Sequence, residues 1–258
     1  MKTEEYTQMY RLEFNHWWYT GLDHLIFQTI RRLGLPAGSK ILDAGCGTGR
    51  IMKRLSSLYS VYGFDFSEAA IKFCKKRGIR GINRADISCM PFASESFHLT
   101  VSLDVIYHQG IQDDAAPLNE LYRVIKPGGY LILQVPALEM LRGNHDRQVA
   151  TRERYTRSEL IRRVKKAGFD IPKASYRLFV LFPIFILSRV FQHKSKQSKS
   201  DLSELPGWAN RLLYRLVWLE NHWLDRHHVP LGSSIFLLAR KPHTMNTPAE
   251  RNKKINPH

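Results

Sequence analysis

Asp43, Gly45, Gly47 and Gly49 stand at alternate positions directly after the apolar pair Ile41-Leu42. A turn made of glycines lets backbone approach a ligand with no Cβ in the way. At the end of a buried strand, such a turn puts the ligand at the carboxyl edge of a parallel sheet. Asp65 ends the next short strand, Val61–Phe64, about 20 residues beyond the turn, where a strand-tip carboxylate can accept both ribose hydroxyls of a nucleoside. Two commoner ligands are excluded by spacing. A dinucleotide turn reads G-x-G-x-x-G, and Arg50 occupies its last place; the G-x-x-x-x-G-K-[ST] phosphate loop is absent.

The elements that must position these residues alternate in type. Glu4–Leu33 reads as helical, with an aromatic cluster at Phe14–Tyr19 and a stop at Gly34-Leu35-Pro36. Strands are predicted at 41–44, 61–65, 81–87, 99–104 and 131–135, with helices at 50–59, 67–76 and 115–124 between them. Such alternation predicts a doubly wound α/β sheet with helices on both faces. Asp86 ends the third strand and Asp104 the fourth.

The motif D-x-G-x-G-x-G from Asp43, the segment Met90-Pro91-Phe92 with Phe97, Asp104-Val105-Ile106-Tyr107-His108 and Arg123-Val124-Ile125-Lys126-Pro127-Gly128-Gly129 occur in that order. Together they resemble the class I S-adenosylmethionine-dependent methyltransferases of the methyltransferase-11 type. The resemblance covers Ile41 to Val135. It departs from the family pattern at His98, where an Asp is usual, and at Tyr107, where an acid is usual. It implies a Rossmann-like seven-stranded sheet and S-adenosylmethionine as cofactor, held by Asp43, Gly45, Cys46, Gly47, Gly49, Asp65, Phe66, Asp86, Ile87 and Leu103. Beyond it, His145-Asp146, Arg154-Tyr155-Thr156 and Ala167-Gly168-Phe169 are similar to a bacterial subgroup associated with glycan or secondary metabolism.

Transfer of a sulfonium methyl is an in-line displacement, so positioning dominates, and only a hydroxyl acceptor demands a base. His108, where strand four opens, is the first candidate base and His145 the second, with Tyr155 and Asp146 to orient them. One His and one Asp make no ligand set, so no metal is expected. No Asn/Asp-Pro-Pro-aromatic or Pro-Cys motif for nucleobase chemistry is present.

The expected organisation is an N-terminal helical cap (1–38), a cofactor-binding core (39–177), a helical insertion (178–230), a last strand (231–240) and a disordered tail (241–258). Within the insertion, the apolar run from Leu178 reads as a sixth strand breaking into a helix at Pro183. An apolar helix beside the Lys-rich stretch 193–200 suits either a substrate cap or contact with an anionic membrane through 178–200.

The net charge of +16 over 258 residues admits nucleic acid or an anionic membrane as partner, but the charge is spread along the chain and nucleic acid is disfavoured. The three cysteines lack C-x-x-C spacing, and the first ten residues contain no apolar signal core, so a cytoplasmic location is expected, with peripheral membrane contact as an addition. The expected activity is therefore O-methylation of a small or lipid-linked acceptor. The alternatives are an RNA methyltransferase and a catalytically silent scaffold of the same fold. Oligomeric state has no sequence signal.

Overall fold

The computed structural model describes residues 3–192 and 204–243. The basic stretch 193–200 and most of the expected tail lie outside them. Seven strands, β1 (Lys40–Ala44), β2 (Ser60–Asp65), β3 (Ile82–Arg84), β4 (Phe97–Leu103), β5 (Ile125–Pro136), β6 (Asp170–Arg177) and β7 (Ser234–Arg240), form one sheet in the order β3-β2-β1-β4-β5-β7-β6. All pairs are parallel except those of β7, which runs antiparallel to β5 and β6. This is the class I methyltransferase fold.

Strand residues alternate between two apolar layers, as the period of two requires. Leu42, Leu131, Leu133 and Leu237 face α5 (Ala115–Val124) and α7 (Arg157–Lys166), meeting Leu118, Leu121, Leu160 and Val164. Ile41, Leu99, Val101, Ile132 and Phe236 face the opposite way, onto α2 (Trp17–Leu33) and α3 (Arg50–Leu55) through Leu22, Leu25, Ile26, Ile51 and Leu55. Both faces of the sheet are covered, so the strands are apolar throughout.

The N-terminal helical stretch is two helices, not one. α1 (Thr3–Leu12) and α2 are separated by Glu13–His16, and His16 caps α2, its side chain accepting from the Trp18 amide. Glu13 is buried here against Thr48, Arg50 and Arg77. Its carboxylate therefore fixes the break that the aromatic cluster hides in the sequence. Between β2 and β3 lies α4 (Glu68–Lys76).

The sixth strand begins earlier than the apolar run suggested. It occupies 170–177, and Pro183 is the second residue of α8 (Phe182–Gln192), a position where a missing N–H costs nothing. α9 (Gly207–Leu224) follows. Arg177 pairs with Ser234 across the β6/β7 hairpin, so both helices sit in one expanded hairpin connection. α9 is anchored on α2: the Asn221 amide donates to the Gly21 carbonyl at 2.8 Å, and Gln28 and Arg32 both reach Asp225. The first tail residues continue the core, with the Lys241 ammonium buried against the carbonyls of Tyr122 and Ile125 at 3.0 and 2.8 Å.

Candidate active site

The glycine turn closes on the tip of β2. The amides of Gly45 and Cys46 donate to the Phe64 carbonyl at 3.0 and 2.8 Å, and the Gly47 amide donates to Asp65 Oδ2 at 2.9 Å. Gly45 has φ +83, and a Cβ there would lie 2.3 Å from Val105 Cγ2. The backbone is thus wedged between β4 and the space it lines. Gly49 serves packing instead: a Cβ there would meet Ile79 at 2.3 Å, and Gly49 does not line the cavity.

A cavity of about 680 Å³ opens at the carboxyl ends of β1, β2 and β4. Asp43, Gly45, Cys46, Gly47, Asp65, Phe66, Asp86, Ile87 and Leu103 all line it, as do His108 and His145. Tyr155 does not. Its buried hydroxyl donates to Asp114 at 3.0–3.1 Å, within a polar cluster completed by Arg152, Arg163 and Glu153. Asp146 reaches the cavity wall but is held by Arg154 at 2.9 Å and by the Gly143 amide at 2.7 Å, which gives it a structural task in the short helix α6 (Asn144–Gln148).

Residues that sequence reasoning missed complete the cavity. α1 lies across the glycine turn, with Tyr6 3.5 Å from Asp65 Oδ1 and Met9 Sδ 3.4 Å from the Cβ position of Gly47. Tyr107 lines the cavity, and its ring stacks on that of His108 at 4.7 Å. Asp104 is the most informative omission. It directly follows β4 with φ +57, an uncommon backbone region for a non-glycine residue, and it lines the cavity. Gln134 Nε2 donates to Asp104 Oδ2 at 2.8 Å, while the buried Arg177 donates to Gln134 Oε1 at 2.6 Å. The sequence signals for Asp104 are its place at a strand end and its opening of the segment Asp104–His108.

Burial dominates the titration of this site. It pushes Asp43 up to about 8, with help from the nearby Asp65 and Glu13, and raises Asp65 as well. Asp104 is pushed up to about 6, the pull of Gln134 and Arg177 notwithstanding. The same desolvation lowers His108 to about 4, against hydrogen bonds to the backbone at Val149 and Ala150, so its imidazole is neutral at physiological pH.

Residues 42–133 match the family model of the methyltransferase domain, Methyltransf_11. The chain therefore carries a class I, S-adenosylmethionine-dependent methyltransferase domain. It is 36% identical over 106 residues to the tRNA (carboxymethyluridine(34)-5-O)-methyltransferase of Arabidopsis thaliana, a match covering 41% of this chain and 26% of that protein. To phosphoethanolamine N-methyltransferase 1 of Triticum aestivum it is 32% identical over 111 residues, covering 40% of this chain and 22% of the other. The chain thus spans about a quarter of the length of these relatives. Among solved structures, a methyltransferase in complex with the Haloferax volcanii Trm112 activator superposes with a TM-score of 0.59 at 17% identity, over 93% of this chain and 95% of that one. That likeness concerns the fold.

The residues present fit the cofactor this family implies. The turn at Gly45 has no room for a side chain, Asp65 is fixed at the strand tip, and Asp43 Oδ2 is buried without a hydrogen-bond partner among the described residues.

Proposed function

We propose that the chain moves the methyl group of S-adenosylmethionine to a hydroxyl of a small or lipid-linked metabolite, a sugar or secondary-metabolite hydroxyl above all. The observation that carries this reading is the covered cavity. Its volume of about 680 Å³ lies within the usual range for small-molecule sites, and α1 lies across the cofactor side. Phe185 of α8 and Trp17 and Trp18 of α2 give part of its wall an apolar lining suited to a hydrophobic acceptor.

When bound, the cofactor supplies an electrophilic sulfonium methyl. Asp65 would take the ribose, the Gly45–Gly47 backbone would pass beneath the ligand, and Asp86 and Ile87 would border the base. Two groups stand ready for the acceptor proton. The neutral His108 imidazole has a free base form across physiological pH, although its low pKa makes it a weak base. Asp104, pushed up to about 6 and oriented by Gln134, lies nearer the pH at which a general base works best. Tyr107 stacks on His108 and holds its ring plane. His145 remains an acceptor-side contact.

The test uses S-adenosylmethionine labelled on its methyl group, incubated with the protein and host lysate, with Asp65→Ala as the blank. Label in the lipid or small-molecule pool is the expected result, and a labelled product identified as a methyl ether, rather than a methyl ester or an N-methyl amine, is the outcome expected of a hydroxyl acceptor. Label confined to RNA would favour the second reading, an RNA methyltransferase, which draws on the net charge of +16 and on the tRNA relative.

A further inference from the structure

α9 is apolar on two sides. Its inner side carries Leu213, Val217 and Leu224, with Val217 and Leu224 buried and Asn221 bonded to α2. Its outer side carries Trp208, Leu212, Leu219 and Trp223, which are 68%, 51%, 58% and 57% exposed. Their spacing of four, seven and four residues puts them in one stripe along the helix. On α8, Ile184 and Leu187 are also more than half exposed, while Phe185 packs against the cluster of Trp17, Leu178, Leu181 and Val217. A continuous stripe of large apolar side chains on a folded domain marks an interaction surface.

A basic groove runs beside the stripe. Arg211, Arg215 and His222 follow one another at spacings of four and seven on the adjoining flank of α9. Between this flank and α2 lies a groove of about 590 Å³, lined by Arg31, Arg54, Arg211, His24 and His222. The one acid in its wall, Asp23, is already paired with Arg50 and Arg54. The buried Nδ1 of His24 has no hydrogen-bond partner among the described residues. Apart from Asp23 and its partner Arg54, these residues take no part in the buried ion pairs around Glu13 and Arg50, and none of them lines the larger cavity.

We infer that α9 seats this protein on an anionic lipid bilayer, its Trp and Leu stripe entering the headgroup–acyl boundary and the groove receiving a lipid phosphate. Charge selects this occupant. A second copy would bring another +16 and set two arginine flanks against each other. A nucleic acid would satisfy the arginines and stack on the indoles but give Leu212 and Leu219 nothing to bury against. An anionic bilayer satisfies all three classes of side chain, since indoles prefer the interface, leucines the acyl region and arginines the phosphates. The inference needs no particular acceptor, and vesicle binding and methyl transfer are read separately, so either can fail alone.

The experiment is flotation of the full chain with vesicles of phosphatidylcholine alone or with added phosphatidylglycerol, read together with tryptophan emission. The expected result is partition onto the anionic vesicles at least about tenfold above the neutral ones, weakened by salt and accompanied by a blue shift. The Trp208→Ser/Trp223→Ser variant should lose most binding to both. The Arg31→Glu/Arg211→Glu variant should lose the preference for phosphatidylglycerol by about tenfold or more. All four side chains are exposed, so an unchanged Tm is the control for folding. Equal partition onto both vesicles, no partition, or variants that bind like the wild type would overturn the inference. So would a wild-type dimer that W208S/W223S dissolves without any vesicle binding, which would make the face an interface between copies.

Discussion

At Asp65 one carboxylate holds three groups: Oδ2 takes the Gly47 amide at 2.9 Å, and Oδ1 takes the Ser67 amide at 2.8 Å and faces the Tyr6 hydroxyl at 3.5 Å. It therefore shapes the glycine turn and presents the remaining lone pairs to the cavity. Hydrogen bonds to a charged group contribute about 1.5–3 kcal/mol, so Asp65→Ala should weaken cofactor binding by about 10–100-fold, as calorimetry would read. Asp43 makes a pH prediction. Its carboxyl is pushed up to about 8 by burial first and then by Asp65 and Glu13. A cationic ligand favours the carboxylate, so the bound-state pKa lies below the free one and binding releases a proton. Affinity for S-adenosylmethionine should rise from about pH 6 to about pH 7.5; a flat or falling profile would remove Asp43 from contact with the ligand's charge. For the chemistry, His108→Ala should keep cofactor affinity while lowering kcat by about 10²-fold or more. Full turnover in that variant, together with loss in Asp104→Asn, would transfer the base role to Asp104.

The junction of α1 and α2 is held to the core by a buried ion cluster, beside the apolar packing of α2 on the sheet. Glu13 is buried between Thr48, Arg50 and Arg77, Arg50 also pairs with Asp23, and the Arg77 guanidinium lies 4.2 Å from the Tyr10 ring centroid and 4.5 Å from that of Phe14. Removing one partner of a buried pair leaves an uncompensated charge. Glu13→Ala should cost about 3 kcal/mol, or roughly 6–12 °C in Tm, and should loosen α1 over the cofactor side. Differential scanning calorimetry gives the first value and cofactor affinity the second. A variant with wild-type Tm would show that the clamp contributes nothing. The insertion has a comparable point of contact. A Cβ on Gly21 would lie 2.6 Å from Val217 Cγ1, so Gly21→Val should force α9 away from α2 and lower Tm.

For the whole molecule, the sequence conveyed the sheet and the residues that line its carboxyl-edge cavity because both rest on local signals: strand patterning, the glycines after β1, and carboxylates at the tips of β2 and β3. It conveyed less where the deciding partner is distant in the chain. The break between α1 and α2 depends on Arg50 and Arg77, which no local pattern connects to Glu13. The role of Tyr155 depends on Asp114, and that of Asp104 on Gln134 and Arg177. The early end of β6 was hidden because the apolar run from Leu178 serves a helix, whose first turn accepts Pro183. No helix among the described residues is long and apolar enough to cross a membrane.

The most direct measurement is equilibrium binding of S-adenosylmethionine to the purified chain by calorimetry, with Asp65→Ala alongside. One site per chain is expected, with affinity lost by about 10–100-fold in the variant without loss of folding. A wild-type chain that binds no S-adenosylmethionine, or a variant that binds it equally well, would contradict the placement of the cofactor at the glycine turn and with it the proposed activity.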